Sequence, residues 1–216
     1  MSWRPGKFDY VFFFLVFLDL WAMHLYPGLR LLTKPLIVSS LLVYYVMKAG
    51  DHQQAVILTA LIFALLGDIF LMFDAPLFFQ LGLGAFLVMQ LCYTSYFSQQ
   101  KKEMDALKWG IVGGVVLVAL LFNGFYHSSF GALKWPVLFY TLAITAMVVT
   151  AIRQTGSSLL FYGALLFMVS DLSLAYHKFV AAIPMSGVLV MITYAFAQWL
   201  IVKGILDIES RRYPKA

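Results

Sequence analysis

Asp19, Lys34, Asp68 and Asp171 are ionisable residues that lie within long apolar stretches of the sequence. A charge in apolar surroundings is expensive, so each side chain should face the protein interior and meet polar partners. Three carboxylates against one lysine leave surplus negative charge. Because close carboxylates cannot all ionise cheaply, we expect one of them to keep its proton near neutral pH. A neutral carboxylic acid beside an ionised carboxylate is an arrangement suited to general acid catalysis.

A structural interpretation competes with this catalytic one. Asp68 or Asp171 would then pair with Lys34 only to lock helices together. If the site is catalytic, we expect Lys34 to act electrostatically, by holding one aspartate ionised or by pairing with a phosphate, rather than as a nucleophile.

Two pairs of polar residues have the spacing that places both members on one helix face. They are Gln90 with Tyr93 and Tyr194 with Gln198. Such residues line a polar site or form hydrogen bonds between helices. The four histidines show no metal-ligand spacing, and the familiar hydrolase and ATPase motifs are absent. The sequence therefore predicts neither a metal nor a cofactor.

The elements that position these residues must be membrane helices. Of the 216 residues, 62% are hydrophobic and 12% are charged, against about 45–50% and about 25% in soluble domains. A soluble core of this size cannot hide so much apolar surface. The net charge of +5 falls between apolar segments, which indicates membrane topology rather than nucleic-acid binding.

Eight apolar stretches, each about long enough for one crossing, predict an all-α polytopic membrane protein with a single domain over residues 1–216. The stretches are approximately 8–24, 33–47, 54–73, 77–97, 107–125, 135–152, 157–177 and 183–202. No linker between them is long enough to separate domains.

The basic residues predict the orientation of these spans. An even number of spans places both termini on one side, which then collects 11 basic residues against 4 on the other. The larger set is Arg4, Lys7, Lys48, Lys101, Lys102, Lys108, Arg153, Lys203, Arg211, Arg212 and Lys215; the smaller is Arg30, Lys34, Lys134 and Lys178. The positive-inside rule then places both termini in the cytoplasm, most simply at a bacterial inner membrane.

The predicted span ends place the three aspartates at one depth. Asp19, Asp68 and Asp171 each lie five or six residues before the outer end of a span, and Lys34 lies in the first turn of span 2 beside Pro35. At a rise of about 1.5 Å per residue, the carboxylates share one level. We therefore expect Asp68 and Asp171 to face each other across a polar cavity in the outer half of the protein.

The two halves of the chain also echo each other. The segment around Asp68 and the segment around Asp171 share a pattern of a small residue, Asp, leucine and an aromatic residue. Asp19 precedes Asp68 by 49 residues, and Asn123 precedes Asp171 by 48. This spacing suggests two sets of four spans in parallel orientation, with Asp19 and Asn123 lining a site between the repeats, although apolar sequences also resemble each other by chance.

Several motifs together resemble the YhhN-type lysoplasmalogenase family over essentially the whole chain. They are Thr33-Lys34-Pro35-Leu36, Leu66-Gly67-Asp68-x-x-Leu71-Met72, Gly84-Ala85-Phe86 followed by Tyr93, Gly163-Ala164-x-x-Phe167-x-x-Ser170-Asp171, and Tyr194-x-x-x-Gln198. The resemblance implies eight spans and hydrolysis of the vinyl ether bond of lysoplasmalogens to a fatty aldehyde and a glycerophospho-alcohol. Family members commonly have His at the position of Gln90, so this chain offers no titrating imidazole there.

Carried over by motif position, the resemblance implies that Asp68 and Asp171 are the catalytic carboxylates and that Lys34 lies near them. The substrate-binding candidates are Lys34, Asp19, Gln90, Tyr93, Asn123, Tyr194 and Gln198. The partners expected are a lysophospholipid and the bilayer, while the oligomeric state stays open. A proton- or ion-coupled transporter is the alternative, because buried Asp and Lys in a repeated membrane fold suit it as well.

Overall fold

The computed structural model describes residues 6–99, 103–154 and 156–213, and within these ranges the protein is all-α without a β-strand. The described residues form α1 (Lys7–Leu25), α2 (Arg30–Ala49), α3 (Ala55–Phe70), α4 (Pro76–Phe97), α5 (Ala106–Tyr126), α6 (Lys134–Arg153), α7 (Ser158–Phe179) and α8 (Ser186–Arg212). Each predicted apolar stretch thus corresponds to one α-helix. Arg4, Lys101, Lys102 and Lys215, which enter the predicted charge bias, lie outside the described residues.

Most of these helices are long enough to cross a bilayer, which takes roughly 20 apolar residues. Six helical segments in the described chain meet this requirement, and one of them, Ala106–Arg153, contains both α5 and α6. The kink within that segment is at Gly131, whose φ of 54° suits a residue without a Cβ. Helix α3 is apolar but has only 16 residues. The protein is therefore an integral membrane protein built from apolar helices, as its composition predicts.

Local sequence signals set several of the helix boundaries. Pro76 is the first residue of α4, where its missing N–H costs no hydrogen bond. The Asp105 side chain caps α5 by accepting a hydrogen bond of 2.8 Å from the backbone N–H of Lys108. Gly50 follows α2 with a φ of 56°, a conformation that glycine adopts without strain.

Several predicted helix ends differ from the observed ones. Helix α8 continues ten residues beyond Val202 to Arg212, because no proline interrupts this more polar segment and Asp207 pairs with Arg211 at 2.9 Å. Helix α2 begins at Arg30, so Pro35 lies inside the helix rather than at its start. Helix α3 ends at Phe70, where the chain turns before α4.

The chain divides between Met89 and Gln90, inside α4, into two compact units. In the first unit α2 packs against both α1 and α3. In the second unit α5, α6, α7 and α8 pack in sequence order, and the contact between α7 and α8 is the most extensive. The predicted repeat of four plus four spans stays a prediction.

Close packing between α7 and α8 depends on glycine. A Cβ on Gly163 would lie 2.7 Å from Cγ1 of Ile201 and 3.0 Å from the backbone oxygen of Ala197. A Cβ on Gly204 would lie 2.7 Å from Cδ2 of Leu160, so each helix contributes a glycine to the contact. Small residues allow membrane helices to approach closely and gain van der Waals contact.

We predict that Gly163→Ala destabilises the protein, because the new methyl group meets backbone atoms of α8 that cannot move aside. Overpacking of this kind costs about 1–3 kcal/mol. Gly113→Ala on α5 is the matched control, since a Cβ there has no neighbour within 4 Å. The free energy of unfolding in detergent should fall for Gly163→Ala and should not fall for Gly113→Ala. Equal stability of the two variants would contradict this account of the contact.

Candidate functional site

Helix α7 holds Asp171 at the end of its packed face. Gly163, Ala164, Phe167 and Ser170 are buried, at the spacing of one helix side. The Ser170 hydroxyl donates a 3.0 Å hydrogen bond to the backbone oxygen of Val190 in α8. The family motif in α7 is therefore largely a packing motif, and it fixes the helix that carries Asp171.

The Asp171 carboxylate receives hydrogen bonds from two other helices. Its Oδ2 atom accepts a hydrogen bond of 2.5 Å from the hydroxyl of Tyr140 in α6. The same atom accepts a hydrogen bond of 3.1 Å from the Nε2 atom of Gln90 in α4. Gln90 is fully buried and Tyr140 nearly so. We call Gln90, Tyr140 and Asp171 the Asp171 cluster. Both donors are neutral, and no cation in the described chain pairs with this carboxylate.

Sequence reasoning identified Gln90 and Asp171 but missed Tyr140. The available signal was a tyrosine in the middle of an apolar stretch, because a buried tyrosine hydroxyl usually finds a hydrogen-bond partner. That signal does not name the partner, since it depends on how α6 is rotated against α7.

The other predicted residues of this unit fall into different surroundings. The Tyr93 hydroxyl donates a hydrogen bond of 2.9 Å to the Oε1 atom of Gln198, and both residues are fully buried between α4 and α8. The Tyr194 ring packs edge-on against Phe167 at 5.5 Å between centroids. Asn123 donates to the backbone oxygen of Ala119 in its own helix, and no hydrogen bond in the described chain joins it to Asp171.

The first unit contains a separate group of polar residues, which we call the α2 cluster: Asp19, Arg30, Thr33, Lys34 and Asp68. Asp19 is fully buried, and its Oδ1 atom accepts a hydrogen bond of 2.7 Å from the Thr33 hydroxyl. The same oxygen lies 3.5 Å from the Nε atom of Arg30. The Nζ atom of Lys34 lies 3.6 Å from Oδ1 of Asp68. Helix α2 thus supplies polar partners to the carboxylates of both α1 and α3.

The α2 cluster explains the spacing of the family motif in α2. Arg30, Thr33 and Lys34 occupy one turn, so Thr33 and Arg30 reach α1 while Lys34 reaches α3. The prediction that a lysine pairs with one of the buried aspartates is confirmed for Asp68. The direct contacts of Thr33 and Arg30 with Asp19 were not anticipated.

The observed helix ends do not support the prediction that the three aspartates lie at one depth. Asp68 lies two residues before the end of α3, Asp19 six before the end of α1, and Asp171 eight before the end of α7. That Asp68 and Asp171 share one cavity stays a prediction. Among the described residues, no group of three or more His, Cys, Asp and Glu side chains is arranged to hold a metal ion.

Two kinds of carboxylate environment therefore occur. Asp68 faces a cation, whereas Asp171 faces neutral donors. An ionised carboxylate can stabilise a cation or accept a proton, and a neutral carboxyl group can donate one. These are the two functions that acid-catalysed hydrolysis requires.

Comparisons of the sequence with a family model and with known proteins identify the same family. The YhhN family model matches residues 29–205, a range that contains α2 to α7 and most of α8. The bovine protein named lysoplasmalogenase TMEM86A is 31% identical over 76% of this chain and 73% of its own length. Its human counterpart is 32% identical over 74% of this chain and 68% of its own length.

A pig protein named lysoplasmalogenase TMEM86B is 33% identical over 91% of this chain and 85% of its own length. No solved structure matches this chain. The motif resemblance found in the sequence is thereby confirmed, and the chain belongs to the YhhN family.

Proposed function

We propose that this protein is a membrane hydrolase that cleaves the vinyl ether bond of lysoplasmalogens. The observation that carries the proposal is its similarity to proteins named lysoplasmalogenase, at 31–33% identity over 74–91% of this chain. The products are a fatty aldehyde and a glycerophospho-alcohol. The substrate is a single-chain lipid, which reaches an intramembrane site from the bilayer itself.

The chemistry needs carboxyl groups rather than a covalent nucleophile. A neutral carboxyl group donates its proton to the β-carbon of the vinyl ether, and the π electrons of the double bond form the new C–H bond. The resulting oxocarbenium ion is captured by water, which loses a proton to a carboxylate. The hemiacetal then breaks its C–O bond to give aldehyde and alcohol. One water is consumed, and both carboxyl groups are regenerated when the accepted proton passes to the carboxylate that donated one.

We assign these two roles to the pair Asp68 and Asp171. A carboxylate in an apolar helix costs free energy, which favours a functional role for both residues. Each lies in a separate polar cluster. Lys34 neutralises Asp68 at 3.6 Å and, with Arg30, supplies positive charge for the lipid phosphate. Gln90, Tyr93, Tyr194 and Gln198 are proposed to line the substrate path in the second unit. Asp19 and Asn123 are substrate-binding candidates from the sequence, and their hydrogen bonds are to Thr33 and to a backbone oxygen.

The first prediction concerns the substrate. Purified protein should release aldehyde from lysoplasmalogen and none from the matching lysolipid with a saturated ether, because only the vinyl ether gives a stabilised cation on protonation. Aldehyde is measured directly in detergent or liposomes. Uptake of the lipid into liposomes without any turnover would instead indicate a transporter.

The second prediction concerns the two carboxylates. Asp68→Asn and Asp171→Asn should each lower turnover by about 10²–10⁴-fold, the usual contribution of general acid or base catalysis. Asp207→Asn is the matched control, because Asp207 pairs with Arg211 in its own helix, and it should remain active. If both residues serve one reaction, the double variant should lose less than the product of the two single losses. Near-normal turnover of both single variants would show that these carboxylates are structural.

We also propose eight spans in a parallel repeat of four plus four, with both termini in the cytoplasm of a bacterial inner membrane. The support is that each apolar stretch contains a helix and that basic residues divide 11 to 4 between the two sides. A reporter that is active only in the periplasm should stay inactive when fused after Ala216. An active fusion at this position would reverse the orientation.

A further inference from the structure

The hydrogen bonds of Asp171 distinguish its two oxygen atoms. Both the Tyr140 hydroxyl and the Gln90 amide group approach Oδ2, while Oδ1 forms no hydrogen bond with any described residue. An amide N–H can only donate. Oδ2 therefore acts as an acceptor, and in the neutral carboxyl group the proton belongs on Oδ1.

The charges of the neighbouring side chains also differ between Asp171 and Asp68. A carboxylate with no counter-ion is costly among apolar helices, so the lack of a cation beside Asp171 in the described part of the chain favours its protonated form. Asp68 has the Lys34 ammonium at 3.6 Å, which suits the ionised form. Two identical side chains in different surroundings can thus take the two different roles of an acid and a carboxylate.

We propose that Asp171 is the general acid of the reaction, that its transferable proton is on Oδ1, and that Tyr140 is a positioning residue which holds Oδ2. This assignment rests on the proposed function. When the Oδ1–H bond breaks and the proton joins the β-carbon, negative charge develops on the carboxylate. The hydrogen bonds already directed at Oδ2 stabilise that charge without reorganisation. The attacking water loses its proton to Asp68, and transfer of that proton to the Asp171 carboxylate restores both residues to their starting states.

A direct test of the protonation states uses infrared difference spectroscopy, which detects the carbonyl band of a protonated carboxyl group and does not depend on turnover. The band should disappear in Asp171→Asn and remain in Asp68→Asn. In Tyr140→Phe it should shift, because the carbonyl oxygen Oδ2 loses a hydrogen bond while the aromatic ring remains.

Kinetics test the positioning role. Tyr140→Phe should lower kcat by about tenfold to 100-fold with little change in KM, as expected for the loss of one buried donor that acts mainly in the transition state. Tyr96→Phe is the matched control. Its hydroxyl is also buried in the second unit but does not bond to Asp171, so it should change neither the band nor kcat.

The outcomes separate this assignment from the proposed function. Absence of aldehyde with the wild-type protein would reject the proposed function itself. Aldehyde formation together with a band that is lost in Asp68→Asn and kept in Asp171→Asn would reject only the choice of acid. A Tyr140→Phe variant that behaves like Tyr96→Phe in both measurements would reject the role of Tyr140.

Discussion

The cost of placing a carboxylate among apolar helices is the constraint on which the polar architecture of this protein depends. Water is not available at that depth to solvate the charge, so each carboxylate needs protein partners. Asp19 has a hydroxyl and a guanidinium group, Asp68 has an ammonium group, and Asp171 has a phenol and an amide. The positions of α1, α2 and α3 in one unit, and of α6, α7 and the part of α4 from Gln90 onward in the other, must satisfy these contacts.

The α2 cluster meets this constraint with charge. A single helical turn of α2 supplies Arg30 and Thr33 to one neighbour and Lys34 to the other. The same turn therefore joins three helices and neutralises two buried carboxylates. Removal of one partner from such a group would leave a charge unpaired, which is far more costly than the loss of an exposed ion pair.

The Asp171 cluster meets it with neutral hydrogen bonds. The position of Asp171 depends on the contact between α7 and α8. Gly163 and Gly204 allow the two helices to approach closely because neither has a side chain that would hold them apart. Ser170 ties α7 to α8 one residue before Asp171. A carboxyl group that must donate a proton to carbon gains from such rigid placement, because a small displacement of the acid slows proton transfer.

The sequence by itself determined the class of protein, the approximate position of every helix and the aspartates that lie deep within the apolar stretches. Apolar length and the high cost of intramembrane charge are local properties, so they can be read directly from residues such as Asp68 and Asp171. The family motifs extended this to the expected chemistry. Helix ends were less certain, because hydropathy marks where the apolar stretch of α8 ends, at Val202, and not where its backbone hydrogen bonds end, at Arg212.

Only the tertiary structure decided which partner each carboxylate has. Lys34 pairs with Asp68, Thr33 with Asp19, and Tyr140 with Asp171, although 31 residues separate the last two along the chain. These contacts depend on the rotation and register of one helix against another, which the packing of many side chains fixes together. No local pattern in α6 distinguishes Tyr140 from a tyrosine that faces lipid, so its bond to Asp171 emerges only when the helices are assembled.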